Sequence, residues 1–422
     1  MGTSCSCDIV TIMKICIIGG GLTGLTAAYA LSGRHDIDLL EKTSGPGGCL
    51  SSYQVGNYWI EKYYHHCFSG DQALLSLFDK LGLVDKVEWR SGTTGYYAGG
   101  KIYPLTTPSE ILRYPELGLA DKARLALLTL KAKKMDTLPL DSVTAEDFIL
   151  QHVGKRVYTS FFEPLLRSKF GERRSEVSAA WLISRIKIRS DRGISGERLG
   201  YLNGGFHLLV DALVSAISAR GTHVLYNTPA TTLVKNGDSW SVNGTKYDAV
   251  ISTMPPGQLQ QIGGPELPKI PYQGAACMTI GLDRDVTNNI YWLNMKDETP
   301  YGAVVSHTNF IPTERYGEHV LYLASYFSGS IQPGLDQVMM ADFCRRFSIP
   351  KEAIHWHKLA IDPFAGPVYT TGFRQLIPSY REAGLYMAGM FSTPNYPERS
   401  MEGSVQSGFG VAGVVDQGSE ND

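Results

Sequence analysis

Lys14 to Ile18 is a short apolar run, and it passes directly into Gly19-Gly20-Gly21-Leu22-Thr23-Gly24. This junction constrains the fold more than any other feature of the chain. A continuous apolar run of that length suits a strand buried on both faces of a parallel sheet. Leu25 to Leu31, with Ala27, Ala28 and Ala30, reads as a helix packed closely on that sheet. Ile37 to Leu40 reads as the second strand, ending at Glu41. The spacing predicts a dinucleotide-binding βαβ unit. Gly19 permits the tight turn, Gly21 lets backbone approach a pyrophosphate, and Gly24 lets helix and strand meet. Leu22 and Thr23 open the helix, whose free N–H groups and partial positive charge suit phosphate. Glu41 stands 20 residues after Gly21, placed to accept from a ribose 2′-OH and to repel a 2′-phosphate. Lys42 follows it at the same strand end.

The remaining composition narrows the class. With 422 residues, two or three domains are expected. Lys+Arg 39 against Asp+Glu 41 gives a formal net charge of -2, which argues against a nucleic-acid partner. The 7 cysteines are scattered and partly inside apolar runs, which suits a reducing, cytoplasmic setting better than a disulfide framework. No apolar run is long enough to span a bilayer. Met1 to Ser6 fits the short myristoylation pattern. The simpler expectation is a flexible extension over 1–12, with a second flexible tail over 416–422.

Gly45-Pro46-Gly47-Gly48-Cys49-Leu50-Ser51-Ser52 follows Glu41 by four residues. A second glycine pair so soon after the acid resembles the flavin amine-oxidase superfamily. There the pair extends the pyrophosphate and ribityl contacts, which assigns Gly47, Gly48 and Cys49 to the cofactor. The superfamily often carries Arg beside the pair, where this chain has Pro46 and Cys49. Tyr201-Leu202-Asn203-Gly204-Gly205-Phe206, a helix over 208–219, the strand His223 to Tyr226 and the stretch Tyr247 to Pro255 resemble its central flavin-binding segment. Ala230 takes the place of a more usual Val over the adenine. Gly384 to Gly389, then Met401-Glu402-Gly403-Ser404-Val405, resemble its closing strand and helix. The resemblance implies cofactor contacts at Gly389, Met390, Met401, Glu402, Gly403 and Val405, with the last helix aimed at the flavin pyrimidine. Met390 replaces a common Asp or Glu. Blocks such as Phe162 to Leu166 and Ser178 to Trp181 look most like the protoporphyrinogen-oxidase-like and phytoene-desaturase-like branches.

The resemblance implies an α/β fold: a Rossmann-like FAD-binding domain interleaved with a mixed α+β substrate domain. The boundaries read 13–85, 195–264 and 361–415 for the first, and 86–194 and 265–360 for the second. The first insertion reads as mostly helical. The second holds candidate strands Ala275–Leu282, Ile290–Met295, Tyr301–His307 and His319–Phe327. Tyr291, Trp292, Tyr322, Tyr326 and Phe327 are candidates for an apolar pocket above the flavin. Gly118 to Met135 mixes leucines with Lys and Arg. It reads either as a solvated basic face on a packed helix or as a peripheral membrane contact.

Hydride transfer to flavin N5 needs little acid–base help, so few catalytic residues are expected. The resemblance brings His65 and His66 near the isoalloxazine as proton-handling candidates, and Arg374 near the flavin. His355-x-His357 lacks a third ligand, and no metal is expected. The activity expected is that of an FAD-dependent dehydrogenase, oxidase or desaturase. It takes a hydride from an apolar, isoprenoid- or porphyrin-like small molecule, with oxygen, a quinone or another acceptor downstream. Two alternatives stay open: a redox-neutral flavoenzyme resembling the sugar-nucleotide mutases, and a non-enzymatic flavin-binding protein. An anionic pyrophosphate would require clustered Arg in the pocket, so the pocket's charge separates the first two.

Overall fold

The computed structural model describes residues 12–190 and 197–420. The N-terminal extension over 1–11 and its myristoylation pattern lie outside the described residues. The strand Lys14–Ile18 sits inside a six-stranded sheet. Asp36–Leu40 and then His223–Leu225 flank it on one side. Ala249–Ser252, Leu385–Met387 and Arg381–Glu382 lie on the other. All neighbours run parallel except the last pair, a small antiparallel hairpin.

Side chains alternate across a strand, so each face has its own core. Ile15 and Ile17 point to the helices Leu22–Leu31, His207–Ala219 and Met401–Glu420, burying Leu25, Ala28, Leu209, Leu213, Val405 and Val411. Cys16 and Ile18 point the other way. They meet Leu233, Trp240, Val242 and Tyr247 of a three-stranded meander over Leu233–Asn236, Ser239–Val242 and Thr245–Tyr247. The nucleotide half is therefore helices, parallel sheet and meander in three layers. The closing helix runs on to Glu420, through residues expected as a tail, and Asp416 is ion-paired with Arg34 at 2.8 Å.

The four candidate strands of the second insertion all form. They are Tyr272–Leu282, Trp292–Met295, Ala303–Ser306 and His319–Phe327. They share one seven-stranded sheet with Ile354–Pro367, Thr94–Ala98 and Lys101–Pro104. Two of these strands come from the first insertion, which also holds the strand Val87–Gly92 and is mostly helical beyond them, so the two insertions build one sheet. Ile354–Pro367 carries the chain without a break from that sheet toward the nucleotide half. The helices of the first insertion form a separate core around Trp181, Leu166, Phe148 and Tyr114. No disulfide joins the described cysteines.

Candidate functional site

The parallel strands place their carboxyl ends together, where ligands of open α/β sheets bind. Gly19, Glu41, Thr253 and Gly389 each follow such a strand, and all four line one cavity of about 1080 Å³. Gly19 has φ +108°, and a Cβ there would lie 2.3 Å from Thr253 Oγ1. A Cβ on Gly24 would lie 2.0 Å from the Gly19 carbonyl oxygen, so helix and strand meet there as expected. A Cβ on Gly21 meets nothing within 4 Å and faces the cavity. Gly21 begins the helix without a side-chain cap, so the first-turn N–H groups are left for a ligand.

The second glycine pair docks on the first. Gly47 N–H donates to the Gly20 carbonyl at 2.7 Å, and a Cβ on Gly48 would stand 3.3 Å from Gly21 Cα. Glu41 is buried. Its Oε2 accepts from Gly20 N–H at 2.9 Å, and its Oε1 from the N–H and hydroxyl of Thr43 at 2.8 and 2.7 Å. A carboxylate has roughly four acceptor positions, so one remains for a ribose hydroxyl. Leu22, Thr23, Lys42, Cys49, Ala230, Met390 and Met401 line the same cavity. Open backbone at Gly21, an uncapped helix start and a buried acid at the next strand end together fit a dinucleotide.

From Cys49 the cavity continues under the seven-stranded sheet. Cys49 Sγ donates to Asp362 at 3.8 Å, and burial, then Asp362, pushes the thiol up to about 12, so it stays protonated. Tyr64 and Tyr326 share a hydroxyl–hydroxyl hydrogen bond at 3.0 Å, and Trp292 stands edge-on to Tyr64. Tyr291, Trp292 and Tyr326 line the cavity, whereas Tyr322 is buried in the core behind it. His65 Nδ1 lies 2.7 Å from the Tyr63 carbonyl oxygen. A carbonyl only accepts, so Nδ1 carries the proton and neutral His65 keeps a lone pair on Nε2. Burial pushes His65 down to about 4, Arg399 adding to the effect and the Tyr63 bond opposing it. His66 Nδ1 is 3.2 Å from the Tyr291 hydroxyl.

Four charged residues that the sequence did not single out as a site close the inner end. Lys169 Nζ is 3.1 Å and Arg185 Nη1 is 3.4 Å from Glu398 Oε1, and Arg399 stands beside them. Burial would raise Glu398, but Lys169, Arg185 and Arg399 together hold it below its usual range. The aromatic wall agrees with the composition of the strands. The charge comes from elsewhere: the helices of the first insertion and the segment before the closing helix.

Several expected contacts lie elsewhere. Arg374 is exposed and borders a separate small depression with Leu138, Asp141 and Gly372. Glu402 turns away from the cavity and accepts from the N–H groups of Ala73 and Leu74 at 3.0 and 2.8 Å. A Cβ on Gly403 would stand 2.4 Å from Asn395 Oδ1, so its task is close packing. Val405 is core. Among the described residues no group of three His, Cys, Asp or Glu could hold a metal.

A model of the flavin containing amine oxidoreductase family matches residues 22–416. Coproporphyrinogen III oxidase of Mycobacterium tuberculosis is 25% identical over 231 residues, 49% of this chain and 51% of that protein. The chain thus spans about half the length of the first such relatives. 15-cis-Phytoene desaturase of Synechococcus elongatus is 24% identical over 450 residues, covering 94% of each chain. Among solved structures, reduced UDP-galactopyranose mutase superposes with a TM-score of 0.75 at 19% identity, over 96% of this chain and 95% of that one. That likeness establishes the fold alone.

Proposed function

The chain belongs to the flavin containing amine oxidoreductase family, and its cofactor is FAD; from that premise we propose that it oxidises a small molecule with an apolar body by hydride transfer to the flavin. The observation that carries this reading is the single cavity joining the glycine cradle to the aromatic wall of Tyr64, Trp292 and Tyr326. Bound FAD supplies the hydride acceptor. Gly21, Gly47 and the first turn of Leu22–Leu31 would hold its pyrophosphate, and Glu41 its adenosine ribose. The aromatic wall orients the substrate and excludes water, and neutral His65 offers Nε2 as a hydrogen-bond acceptor. Turnover would need an acceptor for the electrons, whether oxygen, a quinone or another. Anaerobic mixing of the purified yellow protein with candidate substrates tests this: flavin bleaching supports it. Turnover of a sugar nucleotide with no net electron transfer would establish the redox-neutral reading instead, which the cations at the inner end favour.

The membrane reading of 118–135 has its own support. In the helix Leu119–Ala132, Leu125, Leu128 and Ala132 are buried. The opposite face carries Leu119, Ala123, Ala126, Leu127 and Leu130, and the three leucines are 79, 51 and 67% exposed. Lys122, Lys131, Lys133 and Lys134 flank this face. An apolar stripe rimmed by lysines suits the surface of an anionic bilayer. No described helix is long and apolar enough to cross one. Sedimentation with phosphatidylserine vesicles, but not with neutral ones, is expected. It should be lost when Leu119, Leu127 and Leu130 are all changed to Gln.

A further inference from the structure

We propose that the inner end of the cavity is an oxyanion seat, in which Lys169, Arg185 and Arg399 receive a carboxylate or phosphate group of the substrate. The proposal rests on the reading of this cavity as a flavin enzyme's substrate site, and it names the chemistry of one end of that substrate.

Three cations stand about one carboxylate. Lys169 and Arg185 both address Glu398 Oε1, while Glu398 Oε2 is buried without a hydrogen-bond partner among the described residues. The Arg399 guanidinium donates no hydrogen bond to a described side chain, yet its place is tightly defined. A Cβ on Gly366 would lie 2.5 Å from its Cζ, so the guanidinium lies flat across a backbone that only glycine leaves bare. Asp362, the other carboxylate near Arg399, is already engaged by the Phe364 N–H at 2.8 Å and by the Cys49 thiol. With all three cations charged and Asp362 counted beside Glu398, three positive charges face two negative ones, an excess of one.

Buried charge without partners is costly, and an imbalance of this kind is relieved when an anion enters. Burial, together with Arg185 and Arg399, pushes the Lys169 ammonium down to about 7 against the pull of Glu398. Each of the three residues lines the cavity, so the missing counter-charge can come from a ligand. Lys and Arg in one pocket suit a multi-oxygen anion, which accepts from both forks and points. The same field repels a protonated amine. The aromatic wall beyond the cluster then takes the apolar body, so the two ends of the cavity read the two ends of one molecule.

The test uses the FAD-loaded protein and three probes of similar size: benzoate, phenyl phosphate and benzylamine. Binding is read from the flavin absorption band. It is also read from tryptophan fluorescence, because Trp181 lies under Lys169 with the ammonium 5.2 Å from its ring. Both anions should bind and benzylamine should not. Lys169→Met and Arg185→Met should each weaken the anions by roughly tenfold or more, the usual effect of losing a charged hydrogen bond. Glu398→Gln should act in the opposite direction and tighten them, which a merely structural role would not do. Tighter binding of phenyl phosphate assigns the seat to phosphate, and tighter binding of benzoate to carboxylate. The proposal is overturned if benzylamine binds as well as the anions, or if Glu398→Gln weakens them. Anion binding by a protein that holds no FAD would overturn the flavin reading and leave the seat standing. FAD retention with no anion binding would overturn the seat alone.

Discussion

Gly21 and Gly24 belong to one motif but answer to different constraints. Gly24 is held by the fold itself, since its Cβ would lie 2.0 Å from a backbone oxygen. Gly21 has open space before it, so nothing in the fold itself demands glycine there. Gly21→Val should therefore leave the melting temperature of FAD-stripped protein nearly unchanged while abolishing FAD uptake. Gly24→Ala should lower that melting temperature by several degrees, a loss on the order of 1–3 kcal/mol for overpacking. Equal effects on the stripped protein would contradict the assignment. His307 gives a second prediction. It is buried with Nε2 at 2.7 Å from the Tyr316 hydroxyl, and burial, then Arg315, pushes it down to about 3 from an ordinary 6.5. Between those values the unfolded chain binds the extra proton, so stability rises with pH and is fully present above 6.5. Denaturant unfolding across that window should show a loss of a few kcal/mol on acidification, on the order of that linkage. His307→Asn should flatten the slope.

Elements were legible where their pattern was local. The strand–glycine–helix start, the helix at His207–Ala219 and the strand at His319–Phe327 fall where apolar periodicity places them. Thr94–Ala98 and Lys101–Pro104 were not legible as partners of that later sheet. Trp292–Met295 pairs with Thr94–Ala98 in parallel across nearly two hundred residues, and no local signal records such a pairing. The inner-end cluster was illegible for the same reason. Lys169 and Arg185 look like surface charges on amphipathic helices until the fold turns them toward Glu398. Glu402 shows the reverse: its motif position suggested the cofactor, but its carboxylate satisfies the start of the helix Gln72–Lys80. Glu402→Ala should cost about 0.5–2 kcal/mol of stability, the usual worth of an N-terminal cap. FAD content, measured by absorbance, should be retained.

At the scale of the whole molecule, the cavity proposed to hold FAD gathers residues from the end of Lys14–Ile18 to the start of Met401–Glu420, so a ligand there couples to global stability. Removing FAD should lower the unfolding free energy by about 2.7 kcal/mol relative to protein with free FAD at a hundredfold excess over Kd. Calorimetry with and without added FAD measures this. An unchanged transition would mean that the stripped and loaded forms are held by the same contacts. The closing helix adds a consequence in time. Gly408 fits against Thr23 and Thr26 so closely that a Cβ there would lie 2.7 Å from the Thr23 carbonyl oxygen, and Leu385–Met387 completes the parallel sheet beside Ala249–Ser252. The helix Leu22–Leu31 therefore lacks one of its partners until Met401–Glu420 has been made. A chain that stops short of this helix is expected to lose the packing behind the glycine loop, and FAD uptake by a truncation ending before Met401 measures that dependence.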